Sequence, residues 1–175
     1  MLLVRAALLL VGFVGALRRS ELVALDRGDL RAREEGVVLA IRRSKTDPEA
    51  AGREIGIPRA EELCPVRALE GWLAHAPDDG GPVFRAIDRH GKLRARLSSH
   101  AVGEILKRRA AAVGLDPDEL GGHSLRSGFA TAAARAGATE EAIARQTGHR
   151  SLAVLRTYIR RGNLFEDHAA SRLGL

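Results

Sequence analysis

Aromatic residues and cysteine are scarce in this chain of 175 residues. Aromatic residues make up 3% of the sequence, and Tyr158 is its one tyrosine. The single cysteine, Cys64, cannot form an intramolecular disulfide, and no cluster of cysteine and histidine has the spacing of zinc ligands. The sequence therefore predicts a protein of a reducing compartment that uses neither a metal nor a cofactor.

The apolar run at 6–17 is too short to cross a membrane. Its sequence, AALLLVGFVGAL, falls well below the roughly 20 residues that a bilayer requires. It also leads directly into LRRSEL, without the polar cleavage region of a signal peptide. We interpret the run as a buried helix, and we expect a cytoplasmic protein with no membrane partner.

Lysine is nearly absent from a chain that is nevertheless basic. Of the 28 basic residues 25 are arginine, and the formal net charge is +6. A bias in genomic base composition explains the shortage of lysine but leaves the positive charge unexplained. Such a charge favours polyanions, because each neutralised phosphate releases counterions. Nucleic acid is the predicted partner, and Lys45, Lys92 and Lys107 each become candidates for a specific role.

The length and composition are those of one folded unit. Hydrophobic residues make up 45% and charged residues 29% of the chain, so we take 1–175 as a single domain. Helical periodicity predicts helices at 2–24 with a break near Gly15, at 65–76, at 97–114, at 123–138 and in short segments up to the C terminus. The second part of the first of these helices begins at SELVAL, where Ser20 is the expected cap.

Short β-branched runs between glycine, aspartate and proline predict strands near 25–31, 36–43 and 53–58. The segment KTDPEAAG between the last two is typical of a hairpin loop, and Lys45 stands at its mouth. The fold class is therefore α+β: a mainly helical domain with a small three-stranded antiparallel sheet near the N-terminal end.

His123 and Arg126 form the motif H-x-x-R directly after two glycines. Both side chains are expected in the first turn of a helix, where backbone N–H groups and the helix dipole favour an anion. Taken alone, the motif is weak, because a capping histidine followed by a surface arginine is common. Tyr158 has two interpretations as well: a core residue with a wet hydroxyl, or a nucleophile for a phosphate.

The combination of motifs is more specific than any one of them. In chain order they are GALRRSEL at 15–22, SKTD at 44–47, HSLR at 123–126, GH at 148–149 and Tyr158. This ordered set resembles that of the tyrosine recombinases, the phage-integrase family of site-specific DNA recombinases, over nearly the whole chain.

The resemblance assigns a role to each matching position. It implies six catalytic residues: Arg18, Lys45, His123, Arg126, His149 and Tyr158. Glu21 would brace the region of Arg18 rather than react, and Arg19 would contact a phosphate at most.

In the implied chemistry, two arginines clamp the non-bridging oxygens of a phosphodiester, whose charge grows in the transition state. Tyr158 attacks phosphorus while His123 removes its proton, Lys45 protonates the leaving 5′ oxygen and His149 hydrogen-bonds the phosphate. The implied product is a 3′-phosphotyrosine that stores the bond energy, so that rejoining needs neither ATP nor a metal.

The resemblance also implies partners and one departure from the family. The expected partners are double-stranded DNA, further copies of the chain in a synaptic tetramer, and accessory DNA-bending or directionality factors. Members of the family usually carry an N-terminal core-binding domain that completes a clamp on DNA, and we expect it to be absent here. Two alternatives stay open at this point: relaxation of DNA in the manner of a type IB topoisomerase, and a non-catalytic DNA-binding module derived from an integrase.

Overall fold

The computed structural model describes residues 2–42, 52–149 and 151–162. The helices in this part of the chain are α1 (Leu2–Val14), α2 (Arg19–Ala24), α3 (Pro65–Leu73), α4 (Ser99–Ala111), α5 (Ser124–Arg135), α6 (Glu140–Thr147) and α7 (Leu152–Gly162). The strands are β1 (Leu30–Ala32), β2 (Gly36–Ile41), β3 (Arg53–Pro58), β4 (Arg85–Ile87) and β5 (Leu93–Arg96). None of the described helices is long and apolar enough to span a bilayer.

The predicted three-stranded antiparallel sheet near the N-terminal end is confirmed. Its strand order is β1-β2-β3, and β2 pairs with β3 along its whole length, from Gly36 opposite Pro58 to Ile41 opposite Arg53. The segment that joins these strands carries Lys45. The predicted hairpin loop at 45–52 lies outside the described residues except for Gly52, and so does the predicted short helix after Gly162.

The core forms where α1 packs across α3 and the inner face of the sheet. Alternate residues of β3, Ile55 and Ile57, are buried and meet the fully buried Leu8 and Val11 of α1 in one apolar cluster. Trp72 of α3 closes one side, with its Nε1 donating to the Val83 carbonyl at 2.7 Å. These contacts fix the C-terminal end of α1 relative to β3.

A second, smaller cluster joins the last three helices. It consists of Ala130 of α5, Ile143 of α6 and Leu155 of α7, all fully or almost fully buried. Between Leu152 and Thr157 only Leu155 is buried, while Leu152 and Val154 are 36% and 50% exposed. Among the described side chains of 152–157, the start of α7 thus contributes one buried leucine and an exposed ion pair between Arg156 and Glu140.

Three details differ from the sequence prediction. The first strand covers only 30–32, because Arg27–Asp29 forms a 3-10 turn in which the Asp26 N–H donates to the Asp29 carboxylate at 2.9 Å. The helix predicted at 97–114 ends at Ala111, which leaves Val113 exposed. The strands β4 and β5 form a two-stranded hairpin that was not predicted.

The end of α1 is closed by a left-handed residue that is not glycine. Ala16 has a φ of 47°. Its N–H donates to the Phe13 carbonyl at 2.9 Å, and the Leu17 N–H donates to the Gly12 carbonyl at 3.0 Å. These two bonds form a Schellman motif, whose left-handed position usually holds glycine. The side chain of Ala16 is fully buried, so the turn is packed as well as hydrogen-bonded.

We expect Ala16→Gly to change the stability far less than alanine-to-glycine changes usually do. The left-handed region costs an L-residue about 1–2 kcal/mol, and relief of this strain offsets both the entropy that glycine adds to the unfolded chain, about 0.4–1 kcal/mol, and the lost burial of one methyl group, about 0.8 kcal/mol. Urea denaturation should therefore show a change in the free energy of unfolding below about 1 kcal/mol. Ala7→Gly, at an equally buried but helical position, is the matched control; it loses the same burial without relief of strain and should lower the free energy of unfolding by about 2 kcal/mol. An equal loss of stability in both variants would contradict the assignment of strain to Ala16.

Candidate functional site

Arg18 lies at the junction between α1 and α2 and is the N-cap residue of α2. Ser20, the expected cap, lies inside the helix instead, because the Glu21 carboxylate fills the capping role. It accepts the Arg18 N–H at 2.9 Å through Oε2 and Nη1 of Arg18 at 2.6 Å through Oε1. The predicted bracing of Arg18 by Glu21 is thus present as two hydrogen bonds.

Glu21 is a buried carboxylate shared by two arginines. It is 3% exposed, and its Oε2 also accepts a bond from Nη2 of Arg53 at 3.4 Å. Burial acts to raise the pKa of Glu21, but the hydrogen bonds from Arg18 and the charges of Arg53 and Arg18 outweigh it and hold that pKa below 4.5. The carboxylate is therefore ionised at neutral pH and fixes both cations.

Arg126 is buried at the start of α5 and reaches the same junction. It is 4% exposed, and its Nη1 donates to the Ala16 carbonyl at 3.1 Å. The carbonyl is available because the left-handed turn at Ala16 has ended α1. The two arginines of the motifs are thereby anchored within two residues of each other along the junction, although they lie far apart in the sequence.

His123 is the N-cap residue of α5, one turn before Arg126. Its side chain is exposed, and its carbonyl accepts the Ser127 N–H at 2.8 Å. The predicted placement of this histidine and Arg126 in the first turn of a helix is confirmed. Arg19 lies next to this turn: a Cβ on Gly122 would be 2.5 Å from Nη2 of Arg19.

His149 follows α6 directly after Gly148, whose φ of 67° ends the helix. The fully buried Thr147 donates its hydroxyl to the Ile143 carbonyl at 2.7 Å. Its oxygen lies 2.8 Å from Nδ1 of His149. Because the hydroxyl hydrogen is used on Ile143, Nδ1 carries the ring hydrogen and donates to Thr147, and neutral His149 has no hydrogen on Nε2.

The charges around His149 show which residues share its neighbourhood. Burial, followed by the positive charges of Arg126, Arg18 and Arg53, lowers the pKa of His149 from 6.5 to about 4. These arginines belong to α5, to the α1–α2 junction and to β3. The structure thus brings Arg18, Arg126 and His149 into one positively charged region.

Two predicted site residues are placed less completely. Tyr158 lies in α7, and this helix begins three residues after His149. Lys45 lies outside the described residues. Sequence analysis missed Arg53 altogether, because nothing local separates it from other arginines that begin a strand.

Comparison with known proteins identifies the fold. The model of the phage integrase family matches residues 3–163. An integrase/recombinase XerD homolog of Selenomonas ruminantium is 44% identical over 170 residues, which are 95% of this chain and 50% of the relative. The tyrosine recombinase XerD of Xanthomonas campestris pv. campestris is 31% identical over 154 residues, which are 87% of this chain and 46% of the relative.

Solved structures agree with these relatives. A XerH site-specific recombinase bound to its palindromic difH substrate, in a post-cleavage complex, matches with a TM-score of 0.73 at 21% identity, over 98% of this chain and 46% of that one. A lambda integrase dimer bound to a COC′ core site matches with a TM-score of 0.63 at 20% identity, over 91% and 42%.

The fold is that of the catalytic domains of tyrosine recombinases. The chain belongs to the phage integrase family. It spans about half the length of the relatives that it matches.

Glu21→Gln is expected to destabilise the protein in a pH-dependent manner. Removing one partner of a buried ion pair lowers the free energy of unfolding by about 3 kcal/mol. In Glu21→Gln, Arg18 and Arg53 both lose the anion that they share. Since the pKa of Glu21 is lowered in the folded state, its contribution is present above pH 4.5 and is lost as the pH falls through the lowered value. Urea denaturation should show a gap between wild type and variant at pH 7 that narrows at pH 3.

The matched control is Glu54→Gln, which breaks an exposed ion pair with Arg31 on the same sheet. It should change stability by less than about 1 kcal/mol. A gap for Glu21→Gln that keeps its size from pH 7 to pH 3 would contradict the role of the Glu21 charge.

Proposed function

We propose that this chain is the catalytic domain of a site-specific recombinase that cuts and rejoins double-stranded DNA through Tyr158. The observation that carries the proposal is the convergence at the α1–α2 junction. There, Arg18 is held by a buried carboxylate, Arg126 is held by the Ala16 carbonyl, and His149 lies within the field of both. A region with these donors suits the non-bridging oxygens of one phosphodiester.

The two arginines act on the charge of the phosphate. Each guanidinium offers forked N–H donors that match two oxygens, and both are preorganised by contacts that do not involve the substrate. Their stabilisation grows as the oxygens gain charge in the transition state. Glu21 keeps Arg18 in place while leaving the remaining positive charge of the site to the phosphate.

The chemical step exchanges one ester for another. The Tyr158 hydroxyl attacks phosphorus, and the bond from phosphorus to the 5′ oxygen breaks as the bond to the tyrosine oxygen forms. His123 takes the proton of the phenol, whose usual pKa is about 10, and Lys45 gives a proton to the departing 5′ oxygen. The product is a 3′-phosphotyrosine with a free 5′-hydroxyl, and attack by a 5′-hydroxyl reverses the step without ATP.

His149 enters this scheme as a neutral imidazole whose Nε2 lacks a hydrogen. A phosphodiester between Arg18 and Arg126 brings a negative charge that offsets the arginines, and it raises the pKa of His149. Once Nε2 has taken up a proton it donates to a phosphate oxygen. Nε2 of His149 thus gains its role as a donor when the phosphate binds.

The partners follow from the same proposal. Double-stranded DNA fits the net charge of +6, and the XerH structure has its substrate bound. Self-association fits the lambda integrase dimer on its core site; we propose a synaptic tetramer, aided by accessory DNA-bending or directionality factors. Residues 1–175 then correspond to the catalytic half of the longer relatives, acting in the cytoplasm.

Tyr158→Phe is expected to abolish covalent attachment to DNA, because phenylalanine has no nucleophilic oxygen. Nicked duplexes from the DNA that flanks this protein's gene would trap the intermediate, since the short strand beyond the nick diffuses away after cleavage. A denaturing gel then shows a protein–DNA adduct for wild type and none for the variant.

Thr157→Ala, at the exposed neighbouring position on α7, is the matched control and should keep the adduct. An adduct of equal yield in Tyr158→Phe would place the nucleophile elsewhere. DNA binding by wild type with no adduct on any duplex would favour a binding-only module.

Lys45→Ala should be rescued by a better leaving group. Replacing the bridging 5′ oxygen with sulfur gives a thiolate of usual pKa about 8.5, which departs without a proton donor. On the oxygen substrate we expect the variant to cleave about 10²- to 10⁴-fold more slowly than wild type. On the sulfur substrate its rate should lie within a few-fold of the wild-type rate, measured in single turnovers.

Lys92→Ala removes an exposed lysine of the β4–β5 hairpin and should match wild type on both substrates. If Lys45→Ala is equally slow on oxygen and sulfur, Lys45 does not donate the proton.

A further inference from the structure

Arg53 connects three parts of the site although no motif includes it. It is the first residue of β3, and its side chain is 21% exposed. Nη1 donates to the Gln146 carbonyl in the last turn of α6 at 2.9 Å, and Nη2 lies 3.4 Å from Oε2 of Glu21. One guanidinium therefore joins the strand, the carboxylate that holds Arg18 and the end of the helix that precedes His149.

The guanidinium of Arg53 also lies close to the last residue before His149. A Cβ on Gly148 would lie 2.8 Å from Nη1 and 3.0 Å from Cζ of Arg53. The guanidinium thus rests against the backbone of Gly148, immediately before His149. Gln146 adds a second tie, because its Nε2 donates to the Val14 carbonyl of α1 at 2.8 Å.

The backbone of Arg53 lies at the base of the hairpin formed by β2 and β3. Arg53 pairs with Ile41 at the end of the β2–β3 ladder, where the chain enters the segment that carries Lys45. A shift of Arg53 would therefore move the base of this hairpin relative to Glu21 and to the end of α6.

A cation at this position is costly for the fold. Burial and the nearby Arg18 both lower the pKa of Arg53, while Glu21 acts in the opposite direction. Glu21 already has one arginine partner, so charge balance alone does not require a second. A neutral donor would satisfy the Gln146 carbonyl at lower cost. A neutral residue at position 53 would, however, place no positive charge next to Arg18 and His149.

We propose that Arg53 is a positioning residue that sets His149 and Arg18 at a fixed distance for one phosphate, through the end of α6 and through Glu21. The inference rests on the proposed function and names a further residue that it needs. Arg53 does not contact the reacting atoms. It determines the positions of His149 and Arg18, which do contact them.

The first test measures cleavage by the full chain in single turnovers on the nicked duplexes described above. Arg53→Gln keeps a hydrogen-bond donor but loses the charge and the fork, and it should cleave about 10- to 100-fold more slowly, the cost of a shift of about 1 Å in a site. Arg53→Lys restores the charge but reaches only one of the two acceptors at a time, so its rate should fall between those of Arg53→Gln and wild type. DNA binding, measured by gel shift, should stay within a few-fold in both variants.

The second test needs no DNA. The charges that act on His149 are those of Arg126 from α5, Arg18 from the α1–α2 junction and Arg53 from β3. Glu21 of α2 is bonded to two of these arginines, Arg18 and Arg53. Removing the Arg53 charge should raise the pKa of His149 from about 4. An NMR titration of the imidazole, assigned by its loss in His149→Gln, would report this rise. Arg53→Lys keeps the charge, so a His149 titration that also changes in that variant would report displacement of the end of α6 rather than loss of the charge.

Arg31→Gln is the matched control, because Arg31 pairs with Glu54, the neighbour of Arg53 on β3, at the surface. It should leave both cleavage and titration unchanged. Wild-type rates together with an unchanged His149 titration in Arg53→Gln would overturn the inference. If Arg53→Gln does not fold, Arg53→Lys decides, and cleavage at the wild-type rate in that variant would overturn it as well.

Failure of the proposed function can be distinguished from failure of this inference. If the proposed function is wrong, wild type forms no adduct on any duplex. The titration of His149 in the DNA-free protein still shows whether Arg53 affects the pKa of this histidine.

Discussion

The arrangement of the site depends on one buried carboxylate. Glu21 holds the backbone and the side chain of Arg18 and also accepts a bond from Arg53. Without this anion Arg18 and Arg53 would lose an acceptor that they share, and the Arg18 N–H at the α1–α2 junction would lose its capping bond. The fold thus uses a buried carboxylate to hold neighbouring cations together.

The cluster also links stability to ligand binding. Positive groups packed at one junction repel one another, and Glu21 neutralises only part of that charge. Under the proposed function, a bound phosphodiester would offset the remaining repulsion and add hydrogen bonds that only the folded state offers. Binding of this ligand would then raise the free energy of unfolding.

Much of this could be predicted from the sequence, for reasons that differ between elements. Periodic apolar residues located α1, α3 and α4, and β-branched runs between turn residues located the sheet. The motif residues Arg18, Arg126 and His149 were found because their order and spacing are unusual as a set. The β4–β5 hairpin was missed, since RAI and LRAR contain few β-branched residues and depend on tertiary contacts. Arg53 and the capping role of Arg18 were missed because both depend on groups that only folding brings near.

The attachment of α7 has a consequence for the order of events under the proposed function. Between Leu152 and Thr157, the helix is anchored by Leu155 and an exposed ion pair, and burying one leucine contributes only about 1.5–3 kcal/mol. Arg18 and Arg126 are anchored at the α1–α2 junction by contacts that do not involve α7. Under the proposed function, a local opening of the start of α7 would therefore cost little free energy, and the presentation of Tyr158 would be an event distinct from the binding of the phosphate.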